Sequence, residues 1–318
     1  MLQSVGLPGF ASQHHAPMLG SPDGRDASDG IRLRAGGSTR RHRNAGELAR
    51  LRRSLARDLH SRNSERVMAG LIGLLALCEN VSEKKRKPEL SLADIQRKIR
   101  AGEGRPHDAL RAFGARPLRC VDAPALYAIL VEICVRAGLK RVPELFLLPF
   151  PGMNAYALGG PANACITVTE GLLRGLSRQE IAGIFAHEVA HVLHHDAGAM
   201  KWAAAIQREI TDLAMRGIGD LAARDQDFAR IGPQALLLVA APVMAQLLIS
   251  ALSRVRELAA DSRAIDLSEH PKALVDALCK LEYFHTGLSP LQAHMRDGSL
   301  VRALHSHPGT WERIAHLS

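Results

Sequence analysis

The chain has 318 residues, 41 Lys+Arg against 32 Asp+Glu, a formal net charge of +9, and 47% hydrophobic but only 4% aromatic residues. That length allows one large domain or two small ones, the hydrophobic fraction excludes wholesale disorder, and a mean hydropathy of −0.04 argues against a multi-span membrane protein. Five cysteines, an odd number with no CxxC pair, give no support to a disulfide framework or a cysteine zinc ribbon and fit a reducing compartment.

The positive charge is uneven along the chain: +6 over residues 1–66, +5 over 67–120 and −2 over 121–318. Residues 1–45, rich in Gly, Ser, Asp and Arg without apolar periodicity, read as a disordered tail. No apolar core follows a charged start, so a secretory signal is unsupported, and Asp23, Asp26 and Asp29 argue against a mitochondrial transit sequence. The basic stretch Glu47–Arg62 is either an arm for nucleic acid or anionic lipid, or a solvated, frayed helix. Nucleic acid is the weaker partner, because no recognised motif and few stacking aromatics accompany the charge. Residues 67–78 (VMAGLIGLLALC) are apolar but fall short of the roughly 20 residues a membrane span needs, which suggests a buried helix or a shallow membrane contact. The run Lys84–Lys87 before Pro88 reads as a linker. The expected division is a basic tail over 1–62, a basic helical and linker region over 63–120, and a catalytic domain over 121–318.

From Ala123 the pattern becomes regular. Pro124–Ala137 has helical apolar spacing, Leu145–Leu148 is a short buried-strand candidate before a turn at Pro149–Gly152, and Ala164–Thr169 alternates β-branched residues as a strand does. Ser177 and Glu180 form the signature of a capping box. The helix they open contains His187-Glu188-Val189-Ala190-His191, an HExxH motif. Residues i and i+4 share one helical face, so two imidazoles can hold one Zn²⁺ while Glu188 reaches a water. Gly at 194 and His at 197 would mark the long HExxHxxGxxH class, but the chain has His194 and Ala197. A third ligand must therefore come from elsewhere. His195 lies about 12 Å along a straight helix from His187, too far to share the metal, and His194 and His195 read as a solvated helix end.

Residues 231–253 carry no charge and are long enough to cross a bilayer, with Pro242 at their centre. Beyond them, Glu257 and Asp261 share a helical face. Glu257 can ligate and Asp261 can accept a hydrogen bond from a ligand imidazole; the alternative is a surface pair among arginines.

Five segments together resemble the HtpX-like zinc metalloproteases, relatives of the CAAX prenyl endopeptidases. These are Asn154-Ala155-Tyr156-Ala157-Leu158, ITVTEGLL (166–173), the helix from Ser177 through Asp196, ELAADSRA (257–264) and the C-terminal His305-Ser306-His307-Pro308 with Glu312-Arg313-Ile314. The resemblance covers about 124–318 in the family's order. It implies an α+β, predominantly helical, zincin-type domain with a small sheet beside the HExxH helix. It further implies one Zn²⁺ held by His187, His191 and Glu257, Glu188 as general base and Asp261 in support. Asn154, Ala155 and Tyr156 then belong to the edge where an extended polypeptide substrate pairs. His307 or His305 is the candidate second donor to an oxyanion, with Tyr156 behind them. A catalytically weak metal-binding chaperone or scaffold of the same fold is the competing function.

Members of this family usually carry transmembrane helices, and this chain departs from that. If His191 and Glu257 meet at one metal, the chain between them crosses a membrane zero or two times. The only other stretch available, 200–218, holds Lys201, Arg208, Glu209, Asp212 and Arg216, which are costly in hydrocarbon. What remains for 231–253 is a re-entrant hairpin bent at Pro242, a pair of buried helices or an oligomer contact. The expected setting is peripheral or re-entrant at the bacterial inner membrane, with the site cytoplasmic and the basic N-terminal region on anionic lipid; a soluble cytoplasmic protein is the alternative.

Overall fold

The computed structural model describes residues 62–82, 106–112, 114–223, 232–297 and 307–318. The tail over 1–45, the basic stretch up to residue 61, the run Lys84–Pro88 and His305 lie outside the described residues. In chain order the elements are α1 (Arg62–Ser82), α2 (Pro106–Ala112), β1 (Arg116–Leu118), α3 (Pro124–Ala137), β2 (Glu144–Leu148), β3 (Ala155–Leu158), β4 (Cys165–Thr169) and α4 (Glu170–Gly175). They continue as α5 (Arg178–Leu193), α6 (Asp196–Ala222), α7 (Pro233–Leu267), α8 (Pro271–Thr286), α9 (Pro290–Arg296) and α10 (Thr310–Leu317). The fold is α+β and mostly helical.

Side-chain alternation along the strands sorts residues to the two faces of a mixed four-stranded sheet. The order is β1-β2-β4-β3, with β2 and β4 parallel and the outer pairs antiparallel. Leu145, Leu147, Ala155, Ile166 and Val168 face the main core, which α3, α5 and α8 complete. Phe146, Cys165, Tyr156 and Leu158 face the other side, under Leu110 of α2. Burial on both faces explains why β4 reads as a continuous apolar and threonine run. β3 is an edge strand beside α5.

Helix α5 is buried almost all round, from Ile181 through Val192. Gly183 lets α8 cross it closely: a Cβ there would sit 2.8 Å from the Leu274 backbone nitrogen. The expected capping box is present. Ser177 N donates to Glu180 Oε2 at 2.6 Å and the Ser177 hydroxyl accepts from the Glu180 amide at 3.3 Å.

A second core joins α1, α6 and α7 through Met68, Leu71, Leu75, Ile206, Ile210, Ala241, Ala245 and Leu252. The apolar run at 67–78 is thus one buried side of a bundle helix. Two readings of 231–253 are corrected: α7 is one continuous 35-residue helix containing Pro242, neither a hairpin bent there nor a pair of helices. Proline removes one backbone hydrogen bond and normally bends a helix. Here Leu238, Ala241 and Ala245, buried on both sides of it, keep the halves in one element.

Glu180 also accepts from Lys280 Nζ of α8 at 2.9 Å, so the start of α5 is tied to its neighbour. Burial pushes the Glu180 pKa up, but Lys280 and the Ser177 donors outweigh it, and the net value lies below the ordinary 4.5. A depressed carboxylate pKa stabilises the fold above the unfolded value and ceases to as pH falls through the folded one. Glu180→Gln should cost about 1 kcal/mol at neutral pH, and urea titrations should show the gap to the parent closing as the buffer is acidified below 4.5.

Candidate active site

The helical spacing of 187 and 191 places both rings at the crossing of α5 with α7. Their Nε2 atoms lie 3.0 Å apart and their planes are nearly perpendicular, at 89°. Glu257 faces them from α7, with Oε2 3.5 Å from His187 Nε2 and Oε1 3.6 Å from His191 Nε2. Donors about 2.0–2.2 Å from a tetrahedral zinc stand roughly 3.3–3.5 Å apart; the two Glu257 separations lie close to that range and the two imidazoles stand slightly nearer each other. Glu257 Oε2 is buried without a hydrogen bond. Among the described residues, His187, His191 and Glu257 are the one His/Cys/Asp/Glu group close enough to hold a metal ion.

The surrounding charge points the same way. Glu188, Asp196, Glu257 and Asp261 are all buried, as are Arg256 and Arg313. Four carboxylates against two guanidiniums leave the interior with an excess of negative charge, which a bound cation offsets. Burying uncompensated carboxylates is otherwise costly.

Asp261, on the same face of α7 as Glu257, meets His187 Nδ1 at 2.9 Å. Arg313 of α10 donates to both oxygens of Asp261, at 2.8 Å and 2.6 Å. Burial pushes the Asp261 carboxyl up, but Arg313 and His187 carry it down to about 2. Burial likewise disfavours charge on Arg313, and Asp261 and Glu257 more than restore it. Burial lowers the His187 pKa, yet the carboxylates of Asp261 and Glu257 beside it raise it to about 9. His191 is held low, by burial first and then by the adjacent His187. Burial raises Glu257, but His187, His307 and His191 hold it well below the usual carboxylate range. The Glu188 side chain is buried and acts electrostatically on both His191 and Arg313.

His307 Nδ1 lies 3.1 Å from Glu257 Oε1, so the C-terminal segment reaches the site. Ala155 opens the edge strand and Asn154 immediately precedes it. The Asn154 backbone is pinned to Thr169, its N–H donating to Oγ1 at 2.9 Å, and Ala155 is buried toward α5. Tyr156 points elsewhere. Alternation sends its ring to the α2 side of the sheet, away from α5, so its hydroxyl is not an oxyanion donor and only its backbone belongs to the edge. His194 caps the end of α5 and His195 immediately precedes α6; neither joins the cluster.

Two residues at the site escaped the sequence reading. Asp196 contacts His191 Nδ1 at 2.5 Å, and Arg256 forms a buried ion pair with Asp196. No helical spacing announces either of them.

Nitrogen and oxygen donors converging beside a buried carboxylate supply what metal-assisted amide hydrolysis needs. The class the fold and site define is a metalloprotease. The model of peptidase family M48 matches residues 122–318, and the chain belongs to that family. It is 36% identical over 226 residues to a protease HtpX homolog of Campylobacter concisus, covering 65% of this chain and 78% of that protein. It is 34% identical over 224 residues to the Ralstonia nicotianae homolog, with the same coverages. The crystal structure of S. mikatae Ste24p shares the fold at a TM-score of 0.52 and 20% identity, covering 80% of this chain; the chain spans 64% of that protein's length.

Arg313 holds Asp261 by two hydrogen bonds that a lysine cannot reproduce. Arg313→Met leaves the buried Asp261 carboxylate with His187 alone and should cost about 3 kcal/mol in chemical denaturation, with Arg313→Lys recovering only part of it.

Proposed function

We propose that the chain is a zinc-dependent endopeptidase that cleaves extended polypeptide segments of misfolded or membrane-associated proteins. The observation that carries this reading is the triangle of His187, His191 and Glu257 donor atoms, 3.0–3.6 Å apart, inside a carboxylate-rich interior. His187, His191 and Glu257 would hold the zinc. Bound there, the ion supplies a Lewis acid that acidifies a water and polarises the scissile carbonyl.

The chain's own residues do the rest. Glu188 takes the proton from the attacking water and delivers it to the leaving amine. Asp261 accepts from His187 Nδ1, which keeps the lone pair of Nε2 directed at the metal. The backbone of Asn154, Ala155 and Tyr156 offers an edge to which a substrate strand adds, so an extended peptide is preferred over a folded one. His307, about one-third exposed beside Glu257, is the candidate second donor to the developing oxyanion.

Replacing Glu188 with Gln keeps the donor triangle and removes the base. Zinc content should stay near one per chain while casein cleavage falls by a factor of about 10²–10⁴. Chelation of the metal should abolish cleavage and lower the melting temperature, since the buried carboxylates lose their counter-charge. Undiminished cleavage by the Glu188→Gln protein would sink the mechanism.

The setting is part of the same proposal. Helix α7 is long and apolar enough to cross a membrane by length and composition. Its outward residues Leu236, Val239, Val243, Met244 and Leu247 are 36–69% exposed and recur at helical spacing. The outward side of α6 instead carries Lys201, Arg208, Asp212, Arg216 and Asp220. With a net +11 over residues 1–120, the arrangement supports peripheral attachment to an anionic bilayer by the α7 face. Vesicle flotation should show binding to phosphatidylglycerol vesicles that survives high salt in part. Val239→Glu with Val243→Glu should remove the salt-resistant fraction; equal flotation of that variant would argue against this face.

A further inference from the structure

Each ligand histidine has a carboxylate behind it, and each carboxylate has an arginine. For His187 the pair is Asp261 with Arg313, at 2.9 Å and 2.6 Å. For His191 it is Asp196, 2.5 Å from Nδ1, whose other oxygen is ion-paired with Arg256. Asp196 is 6% exposed and Arg256 4% exposed, so water screens neither. Arg256 also donates to the His194 carbonyl at 2.5 Å and immediately precedes Glu257 in the chain. One guanidinium thus joins the end of α5, the start of α6 and the segment of α7 that carries Glu257.

The backbone departs from its easiest path to allow this. Helix α5 stops at Leu193, and His195 adopts the left-handed region with φ 54° and ψ 33°, the one non-glycine residue with positive φ among those described. That conformation costs a residue with a Cβ about 1 kcal/mol or more. It turns the chain so that the first residue of α6 lies against His191.

We propose that Asp196, clamped by Arg256, is a positioning residue for His191. It accepts the Nδ1 proton and fixes both tautomer and ring orientation, so that the Nε2 lone pair points at the metal. This rests on the metalloprotease reading, and it assigns to residues outside the donor triangle a share of the metal affinity.

The test is metal retention by the full-length, zinc-loaded protein, followed by transfer to a chromogenic chelator, with the cobalt-substituted visible spectrum as a second readout. Asp196→Ala should speed metal loss by about 10–100-fold and shift the cobalt bands. Asp196→Asn, which keeps an acceptor oxygen, should lose less, and Arg256→Met, which frees the carboxylate to move, should fall between parent and Asp196→Ala. Thermal melts of the metal-stripped proteins separate positioning from folding. The isosteric Asn variant should melt near the stripped parent, yet release metal faster. Parent-like metal release and cobalt spectra in both Asp196 variants would overturn the proposal while leaving the protease reading intact. A parent that retains no metal would overturn both.

Discussion

Buried charge at the α5–α7 crossing governs how the domain is organised. Four carboxylates and two guanidiniums, each with little access to water, meet there. Isolated, any one of them would cost several kcal/mol. They are tolerated because α5, α6, α7 and α10 each bring one half of a pair to the same place: His187 to Asp261, Asp261 to Arg313, His191 to Asp196, Asp196 to Arg256. The site therefore acts as a structural bolt among four helices. The same charges that flank the imidazoles also tie the four helices to one another.

The sheet contributes at a distance from that bolt. Its parallel β2–β4 pair is covered by α5 on one face and by α2 on the other, which leaves β3 at an edge beside the metal helix. An edge strand normally invites unwanted pairing. This one is only four residues long and packs beside α5, which limits such pairing.

Much of this was legible in the sequence because it is written in local periodicity. The capping box at Ser177 and Glu180, the four-residue spacing of His187 and His191, and the same spacing of Glu257 and Asp261 each follow from helix geometry alone. Asp196 was not legible for the same reason. On an unbroken helix, a residue five beyond His191 lies about 140° around the axis and cannot reach its ring. It reaches only because the chain breaks at His195, a conformation that no propensity assigns to histidine. Pro242 misled in the opposite direction. Proline signals a bend, but α7 is gripped by α1 and α6 on both sides of it, and tertiary packing overrides the local preference. Tyr156 looked like a polar handle near the site, and strand alternation turned it to the far face.

Helix α7 connects the two halves of the molecule, and its surface limits how the protein can meet a bilayer. Its exposed apolar residues end at Leu247, about 15 Å of helix before Glu257. If α7 entered lipid end-on, its antiparallel neighbour α6 would go with it, since Gly217 lies against Leu238 and Gln207 donates to Gln246. Asp212, Arg216 and Asp220, exposed on α6, would then enter hydrocarbon, each at a cost of a few kcal/mol. With α7 lying along the surface, the apolar side faces lipid and the charges of α6 stay in water.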